Sequence, residues 1–85
     1  MIKERVHTTS RAESSVHQLL LALDDTRKQH GRPVVSIEEI QKVDTRPLYL
    51  VRKLLLAAVS SGHVLASGDG WALTADGIDR VEGRR

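Results

Sequence analysis

Two Ser-x-x-Glu segments, at residues 10–13 and 36–39, indicate where two helices of this chain begin. In such a capping box the serine hydroxyl and the glutamate carboxylate each bond a backbone N–H that would otherwise have no partner. Apolar residues recur at helical spacing after the first box, and Gly31 is a typical stop after them. The first helix is therefore predicted to begin at Ser10 and to end just before Gly31.

A short extended segment is predicted after the first helix, because Pro33 precedes two β-branched residues. The second box then opens a short helix that ends at Asp44 and Thr45. Either of these two residues can also cap a third helix, whose first turn accepts Pro47 because no N–H is needed there. This third helix is expected to cover residues 46–61. Its inward face consists of Leu48, Val51, Leu54, Leu55, Ala58 and Val59.

The pattern changes from helical to extended after the third helix. Residues 63–67 and 71–73 form two short apolar runs, and the Gly-Asp-Gly sequence between them is typical of a tight hairpin. Thr74 then precedes a short segment with helical spacing and can cap a last helix. The chain is thus predicted to be of the α+β class, with a three-helix core, a short β-hairpin and a short C-terminal helix.

A single domain accounts for most of the 85 residues. We expect a basic N-terminal arm at residues 1–9, the domain at residues 10–81 and a flexible tail at residues 82–85. The inward positions of the predicted elements form one core. It consists of Ala12, Val16, Leu19, Leu20, Leu23, Ile37, Ile40, Val51, Leu54, Leu55, Ala58, Leu65, Leu73 and Ile78.

The segment from Trp71 to Gly77 reads Trp-Ala-Leu-Thr-Ala-Asp-Gly. It is similar to the aromatic-x-Leu-Thr-x-x-Gly segment that leaves the wing in PadR-like and MarR-like regulators and in small archaeal and phage winged helix proteins. Upstream, residues 61–65 resemble the Gly-hydrophobic entry into the wing of the same families. Together with the order of the predicted elements, these segments make the chain resemble the winged helix-turn-helix superfamily from about Ser10 to Val81.

This resemblance implies sequence-specific binding of double-stranded DNA, as in a small transcriptional regulator of a prokaryote, plasmid or phage. In helix-turn-helix proteins the second helix of the pair lies in the major groove, with its side chains on base edges and phosphates. Here that helix presents three cations and a tyrosine, with no acidic residue. The residues expected to bind DNA are Thr45 at the start of this helix, Arg46, Tyr49, Arg52 and Lys53 within it, Ser36 at the second helix, and Lys3 and Arg5 of the N-terminal arm.

The predicted wing tip is short and acidic. It consists of Ser67, Gly68, Asp69 and Gly70. Wings of the families that the chain resembles often carry Lys or Arg toward the minor groove or the phosphates, so the resemblance does not extend to that contact. Leu21 and Leu56 are single leucines on outward faces and are candidates for contact between two subunits, because small regulators commonly read two half-sites as homodimers.

Two other functions fit the same fold. Winged helix domains also serve as docking modules for other proteins, and fold does not fix function. The acidic wing favours this function, as does the near balance of eight basic and nine acidic residues between Ala12 and Val81. An architectural DNA binder with little sequence preference, held mainly by phosphate contacts, is the third hypothesis. The basic third helix and the basic chain ends favour the regulator.

Composition and motifs argue against several other classes of protein. There is no cysteine, the two nearest histidines lie ten positions apart, and no nucleophile elbow, P-loop or glycine-rich dinucleotide turn occurs. We therefore expect no enzyme activity, metal, cofactor or small-molecule substrate. Neither a signal peptide nor a run of apolar residues that would span a membrane is apparent, and a cytoplasmic location is expected.

Overall fold

A computed structural model describes the backbone of residues 2–83 and the side chains of residues 15–83. The described part is of the predicted α+β class, with four helices and one antiparallel hairpin. None of the described helices has a stretch long and apolar enough to cross a membrane. The elements are α1 (Ile2–His30), α2 (Ile37–Gln41), α3 (Leu48–Ser60), β1 (Val64–Ser67), β2 (Gly70–Leu73) and α4 (Ala75–Val81).

The first helix is longer than the sequence analysis predicts. It begins at Ile2 instead of Ser10, and it ends at His30 as expected. There Gly31 has a φ of 68°, and its N–H donates to the Arg27 carbonyl at 2.9 Å. No glycine or proline precedes Gly31 in the sequence, so the chain contains no helix breaker that would delay the start of α1. Ser10 therefore lies within the helix and does not cap it.

The second capping box forms as predicted and starts α2. The Glu39 N–H donates to Ser36 Oγ at 3.1 Å, and the Ser36 N–H donates to Glu39 Oε1 at 3.0 Å. The other oxygen of this carboxylate pairs with Arg32. The side chains of Ser36 and Glu39 are therefore both engaged within the fold.

The third helix begins two residues later than expected, at Leu48. A proline disfavours helical backbone at the residue before it, so Arg46 does not join the helix that follows Pro47. Pro47 is itself the N-cap, and neither Asp44 nor Thr45 caps α3 through a side chain. The helix also ends one residue earlier than predicted.

The hairpin has a two-residue turn, Gly68 and Asp69, with Ser67 paired to Gly70 across it. Gly68 has a φ of 58°. A glycine with positive φ at the first central position is typical of the type II′ turn, which matches the twist of the two strands. The predicted three-residue connection is one residue too long, because Gly70 belongs to β2.

The predicted extended segment contributes a bridge to this hairpin at Val35. Val35 and Trp71 exchange two backbone hydrogen bonds, of 3.0 and 2.8 Å. The approach is close at Gly70, where a Cβ atom would lie 2.6 Å from Val34 Cγ1 and 2.8 Å from the Val35 carbonyl oxygen. A side chain at position 70 would therefore push the segment away from the sheet.

The Leu-Thr-x-x-Gly segment forms the corner between β2 and α4. Thr74 Oγ1 accepts from the Gly77 N–H at 3.0 Å and donates to the Gly62 carbonyl at 2.6 Å. Gly77 is buried, and a Cβ atom there would lie only 2.1 Å from the His63 carbonyl oxygen. The motif thus has a structural cause, since threonine caps α4 and glycine lets α4 pack against the α3–β1 connection.

The predicted core is largely confirmed, with one wrong position in β1. Leu65 is 57% exposed, and Val64 points inward instead. The sequence does not distinguish the two, because both are apolar and the alternation of a strand could place either one in the core. Leu48, expected on the inward face of α3, is 46% exposed at the end of that helix. Ile78 is half-buried, and the side chain of Ala12 lies outside the described residues.

Buried residues from α1, α2, α3 and β1, together with Val35 of the bridging segment, form the core. They are Leu19, Leu20, Leu23, Val35, Ile40, Val51, Leu55, Ala58 and Val64. Half-buried residues pack against them: Val16, Ile37, Leu54, Val59, Trp71, Leu73 and Val81. The packing of α1 against α2, α3, α4 and β2 makes α1 the central element of the fold.

Leu55→Ala is expected to lower the free energy of unfolding by about 2 to 5 kcal/mol, because Leu55 is fully buried in α3 and the surrounding core collapses only partly into the cavity. The matched control is Leu56→Ala, next to it on the exposed face, which should change stability by less than about 0.5 kcal/mol. Urea denaturation followed by circular dichroism measures both. Equal effects of the two variants would mean that α3 is rotated relative to the core.

Gly77→Ala is expected to destabilise the domain by about 1 to 3 kcal/mol or more, because the new methyl group would overlap the His63 carbonyl. In an exposed helix the same change normally stabilises, since alanine is the better helix former. Asp79→Ala, at an exposed position of α4, is the control. A rise in the thermal midpoint of Gly77→Ala would contradict the described corner.

Candidate nucleic-acid interface

The outer face of α3 consists of exposed side chains at helical spacing. These are Tyr49, Arg52, Lys53, Leu56 and Ser60. Tyr49 is 73% exposed and Leu56 is 54% exposed. On the opposite side Val51, Leu55 and Ala58 are fully buried, and this burial fixes the rotation of the helix about its axis. We call the exposed set the α3 outer face.

The charges of the α3 outer face have one sign. No acidic residue occurs in the sequence from Thr45 to Gly68. Within the part of the chain whose side chains are described, the ion pairs formed do not involve Arg52 or Lys53. Both cations therefore face solvent and are accessible to an external anion.

Arg46 lies outside this face, although the sequence analysis places it there. Its Nε donates to Asp44 Oδ1 at 2.8 Å, its Nη2 pairs with Asp44 Oδ2, and its Nη2 also donates to the Ser15 carbonyl of α1 at 3.2 Å. The Asp44 carboxylate also accepts the Arg46 backbone N–H at 3.2 Å. This Asp44–Arg46 clamp ties the α2–α3 turn to α1, and it engages the guanidinium within the fold.

The clamp shifts the pKa of both partners. Hydrogen bonds from the Arg46 side chain hold the pKa of the Asp44 carboxyl below its usual value, and they outweigh the burial of Asp44, which acts in the opposite direction. The same contact raises the pKa of Arg46. Both groups are therefore charged at neutral pH, and the attraction between them is retained there.

Two other residues expected to bind DNA lie near α2. Thr45 is exposed in the α2–α3 turn, beside the clamp. The hydroxyl of Ser36 is used by the capping box, and the Ser36 backbone N–H holds the pKa of Glu39 below its usual value. Thr45 is thus accessible in the turn that precedes α3, whereas the Ser36 side chain is occupied.

The remaining expected cations, Lys3 and Arg5, lie within α1 and not in an arm that precedes it. Their side chains lie outside the described residues, so their contact with DNA stays a prediction. The flexible tail expected at residues 82–85 also lies partly outside the described residues, which end at Gly83.

The hairpin tip is exposed and carries a negative charge. Ser67, Gly68 and Asp69 are exposed, whereas Gly70 is buried. Arg32 lines the same shallow cavity as Asp69, but its guanidinium pairs with Glu39. The tip therefore presents an acidic group to solvent, in agreement with the acidic wing of the sequence.

The two leucines proposed for a subunit contact lie on different elements. Leu21, on α1, is 40% exposed and borders an open groove of about 360 Å³, together with Asp25, Thr45 and the clamp. Leu56 does not line this groove, because it lies on the α3 outer face. The two residues therefore do not form one patch, and a contact between subunits stays a prediction for each separately.

Sequence reasoning missed the partner of Arg46. The available signal was Asp44, two residues earlier, followed by the proline that keeps Arg46 out of the helix. It also missed the exposure of Leu48, so the apolar share of the surface of α3 is larger than expected. Among residues 15–83, no three His, Asp or Glu side chains are grouped so that they could hold a metal ion.

Comparisons with protein-family models, curated proteins and solved structures give no match for this chain.

Asp44→Asn is expected to lower the free energy of unfolding at pH 7 by about 1 to 3 kcal/mol, because it leaves a half-buried guanidinium without its carboxylate. The folded pKa of Asp44 lies below its unfolded value, so its contribution is complete above the ordinary aspartate pKa of about 3.9 and is lost as the pH falls further. The gap between parent and variant should therefore shrink from about pH 5 to about pH 2.

Urea denaturation at a series of pH values measures this gap. Asp69→Asn, which changes the same group at the exposed hairpin tip, serves as the control and should give a small effect with little dependence on pH. An Asp44→Asn effect that stays constant down to about pH 2 would contradict an ionic clamp.

Proposed function

We propose that this chain is a winged helix domain that binds double-stranded DNA, with α3 in the major groove. The observation that supports this best is the α3 outer face, where the side chains of Arg52 and Lys53 are exposed to solvent together with that of Tyr49. A helix of this diameter fits the major groove, and its exposed side chains are the ones that meet base edges and phosphates.

The arrangement around α3 supports the winged helix part of the proposal. The short helix α2 and the turn that follows it precede α3, as in a helix-turn-helix pair. A two-stranded hairpin follows α3, and the Val35 bridge adds a third extended segment beside β2. The Leu-Thr-x-x-Gly corner then returns the chain to α4, at the position expected from the resemblance to winged helix families.

The side chains of the α3 outer face have distinct roles in this proposal. Arg52 can donate two parallel hydrogen bonds to a guanine edge or to a phosphate, whereas Lys53 acts as a point charge toward phosphate. Tyr49 offers a hydroxyl and an apolar ring. From Tyr49 to Leu56 the helix rises about 10 Å, which corresponds to about three base-pair steps. Such a face reads a short half-site, as a small transcriptional regulator does.

A protein-docking module is the second candidate function. It is favoured by one observation, that Leu48, Tyr49 and Leu56 expose large apolar groups on the same helix. Interface centres are typically aromatic and apolar with few charges. The two candidates differ in salt dependence, because only phosphate contacts release counterions from DNA.

Arg52→Ala is expected to weaken binding to a preferred duplex by about 1 to 3 kcal/mol and to relax its preference at one base position. Lys53→Ala should weaken binding to all duplexes alike and lower the slope of log affinity against log salt by about one unit. Fluorescence anisotropy with a preferred duplex and a random one, over a salt series, measures both effects.

Arg80→Ala is the matched control for this experiment, since Arg80 is an exposed cation on α4 and its loss changes the net charge equally. It should leave affinity nearly unchanged. Equal effects of Arg52→Ala and Arg80→Ala would argue against α3 as the DNA-binding helix. A steep salt slope without preference for any sequence would favour the architectural binder, and no salt-dependent binding would favour the docking module.

A further inference from the structure

We infer that the α3 outer face selects DNA by apolar contact with the 5-methyl groups of thymine, so that its preferred duplexes are those that place thymines in the major groove opposite Tyr49 and Leu56. This inference rests on the proposed function and names the class of DNA that the same helix takes. It follows from two features of the structure: the side chains that α3 exposes, and the Asp44–Arg46 clamp, which keeps the Arg46 guanidinium away from the α3 outer face.

The first observation is where the exposed apolar side chains lie. Among the residues whose side chains are described, five large apolar residues are exposed, and three of them are on α3. These three are Leu48, Tyr49 and Leu56. Tyr49 and Leu56 are seven residues apart, so they lie on the same side of the helix and are separated by two turns.

The second observation is the chemistry that α3 lacks. Its sequence, LYLVRKLLLAAVS, contains no Asn, Gln, Asp or Glu. The amide pairing that reads adenine and the carboxylate that accepts from cytosine are therefore both absent from this helix. Three kinds of base contact remain possible for this helix. A cationic side chain can donate to guanine, a hydroxyl can bond either a donor or an acceptor on a base edge, and an apolar side chain can touch the thymine methyl group.

The third observation is that the clamp removes one of the three cations. Arg46 donates to the Asp44 carboxylate and to the Ser15 carbonyl, so its guanidinium does not extend along α3. Only Arg52 is left on α3 with the planar fork that pairs with guanine. Apart from the Ser60 hydroxyl at the last residue of the helix, sequence selection along the remaining length of the face then depends on Tyr49 and Leu56.

The spacing of these groups predicts a pattern in the DNA. Tyr49 and Leu56 lie about 10 Å apart along the helix axis, with Arg52 and Lys53 between them. Thymines should therefore be preferred at two positions about three base pairs apart. Guanine is expected only between these positions, where Arg52 can reach a base edge.

The test replaces thymine by uracil in a duplex first enriched from a random library by binding to the full chain. Deoxyuridine keeps the hydrogen-bonding groups of thymine and lacks only the methyl group, so the exchange isolates apolar contact. Each contacted methyl group should contribute about fourfold to affinity, as expected from the burial of one such group. Substitution one position at a time should locate two sensitive thymines.

Protein variants connect the methyl effect to α3. Leu56→Ala should bind the thymine duplex several-fold more weakly than the parent does and should no longer distinguish uracil at one of the two positions. Tyr49→Phe should keep the discrimination, because it removes only the hydroxyl, whereas Tyr49→Ala should lose it at the other position. Leu65→Ala is the matched control, an exposed leucine on β1, and it should discriminate as the parent does. Circular dichroism confirms that each variant is folded.

Each outcome supports or overturns the inference. Specific binding by the parent that is insensitive to uracil at every position would overturn it and leave the proposed function standing. A uracil effect unchanged in both Leu56→Ala and Tyr49→Ala would overturn it as well, because the methyl groups would then act elsewhere or through DNA shape. Absence of salt-dependent duplex binding would overturn both the inference and the proposed function. The apolar residues of α3 would then be assigned to a protein partner.

Discussion

The presentation of α3 depends on the ion pair between Asp44 and Arg46. The turn between α2 and α3 contains Pro47, which is the N-cap of α3, and no side chain caps that helix. Other contacts therefore have to hold the conformation of the turn. Arg46 supplies them by reaching the Asp44 carboxylate and the Ser15 carbonyl of α1, while Gln41 donates to the Arg46 carbonyl at 3.3 Å. Because Asp44 is buried, loss of either partner would leave a charge in a poorly solvated place.

The same ion pair has a consequence for the proposed recognition of DNA. In helix-turn-helix proteins, residues near the start of the recognition helix contact base edges. Arg46 precedes α3 by two residues and stabilises the turn, so the exposed face of α3 is left with adjacent cations at Arg52 and Lys53 between apolar side chains. In the proposed DNA complex, a helix with few cations would contact few phosphates, and discrimination between duplexes would come from the base edges that its apolar groups touch.

The sequence predicts the elements of this fold better than it predicts their ends. The capping box at Ser36, the stop at Gly31 and the hairpin are local signals, and the structure confirms all three. The start of α1 was wrong because Ser10 in a capping-box pattern is equally compatible with a helix interior when no breaker precedes it. The inward position in β1 was wrong because Val64 and Leu65 are both apolar. In both cases the local sequence is compatible with two structures, and the packing of the whole domain determines which of them forms.

The candidate site shows a further limit of sequence reasoning. Tyr49, Arg52, Lys53 and Leu56 were placed correctly on an exposed face, because the apolar stripe of α3 determines its rotation. The position of Arg46 depends on a contact with Ser15, which lies 31 residues away, and no local pattern reveals it. A basic residue that the sequence places on an exposed helix face is therefore free to bind an external anion only if no carboxylate of the same fold is close enough to pair with it. In the proposed complex, the tertiary structure leaves Arg52 and Lys53 as the cations with which α3 would meet a DNA duplex, since Arg46 is already bound to Asp44.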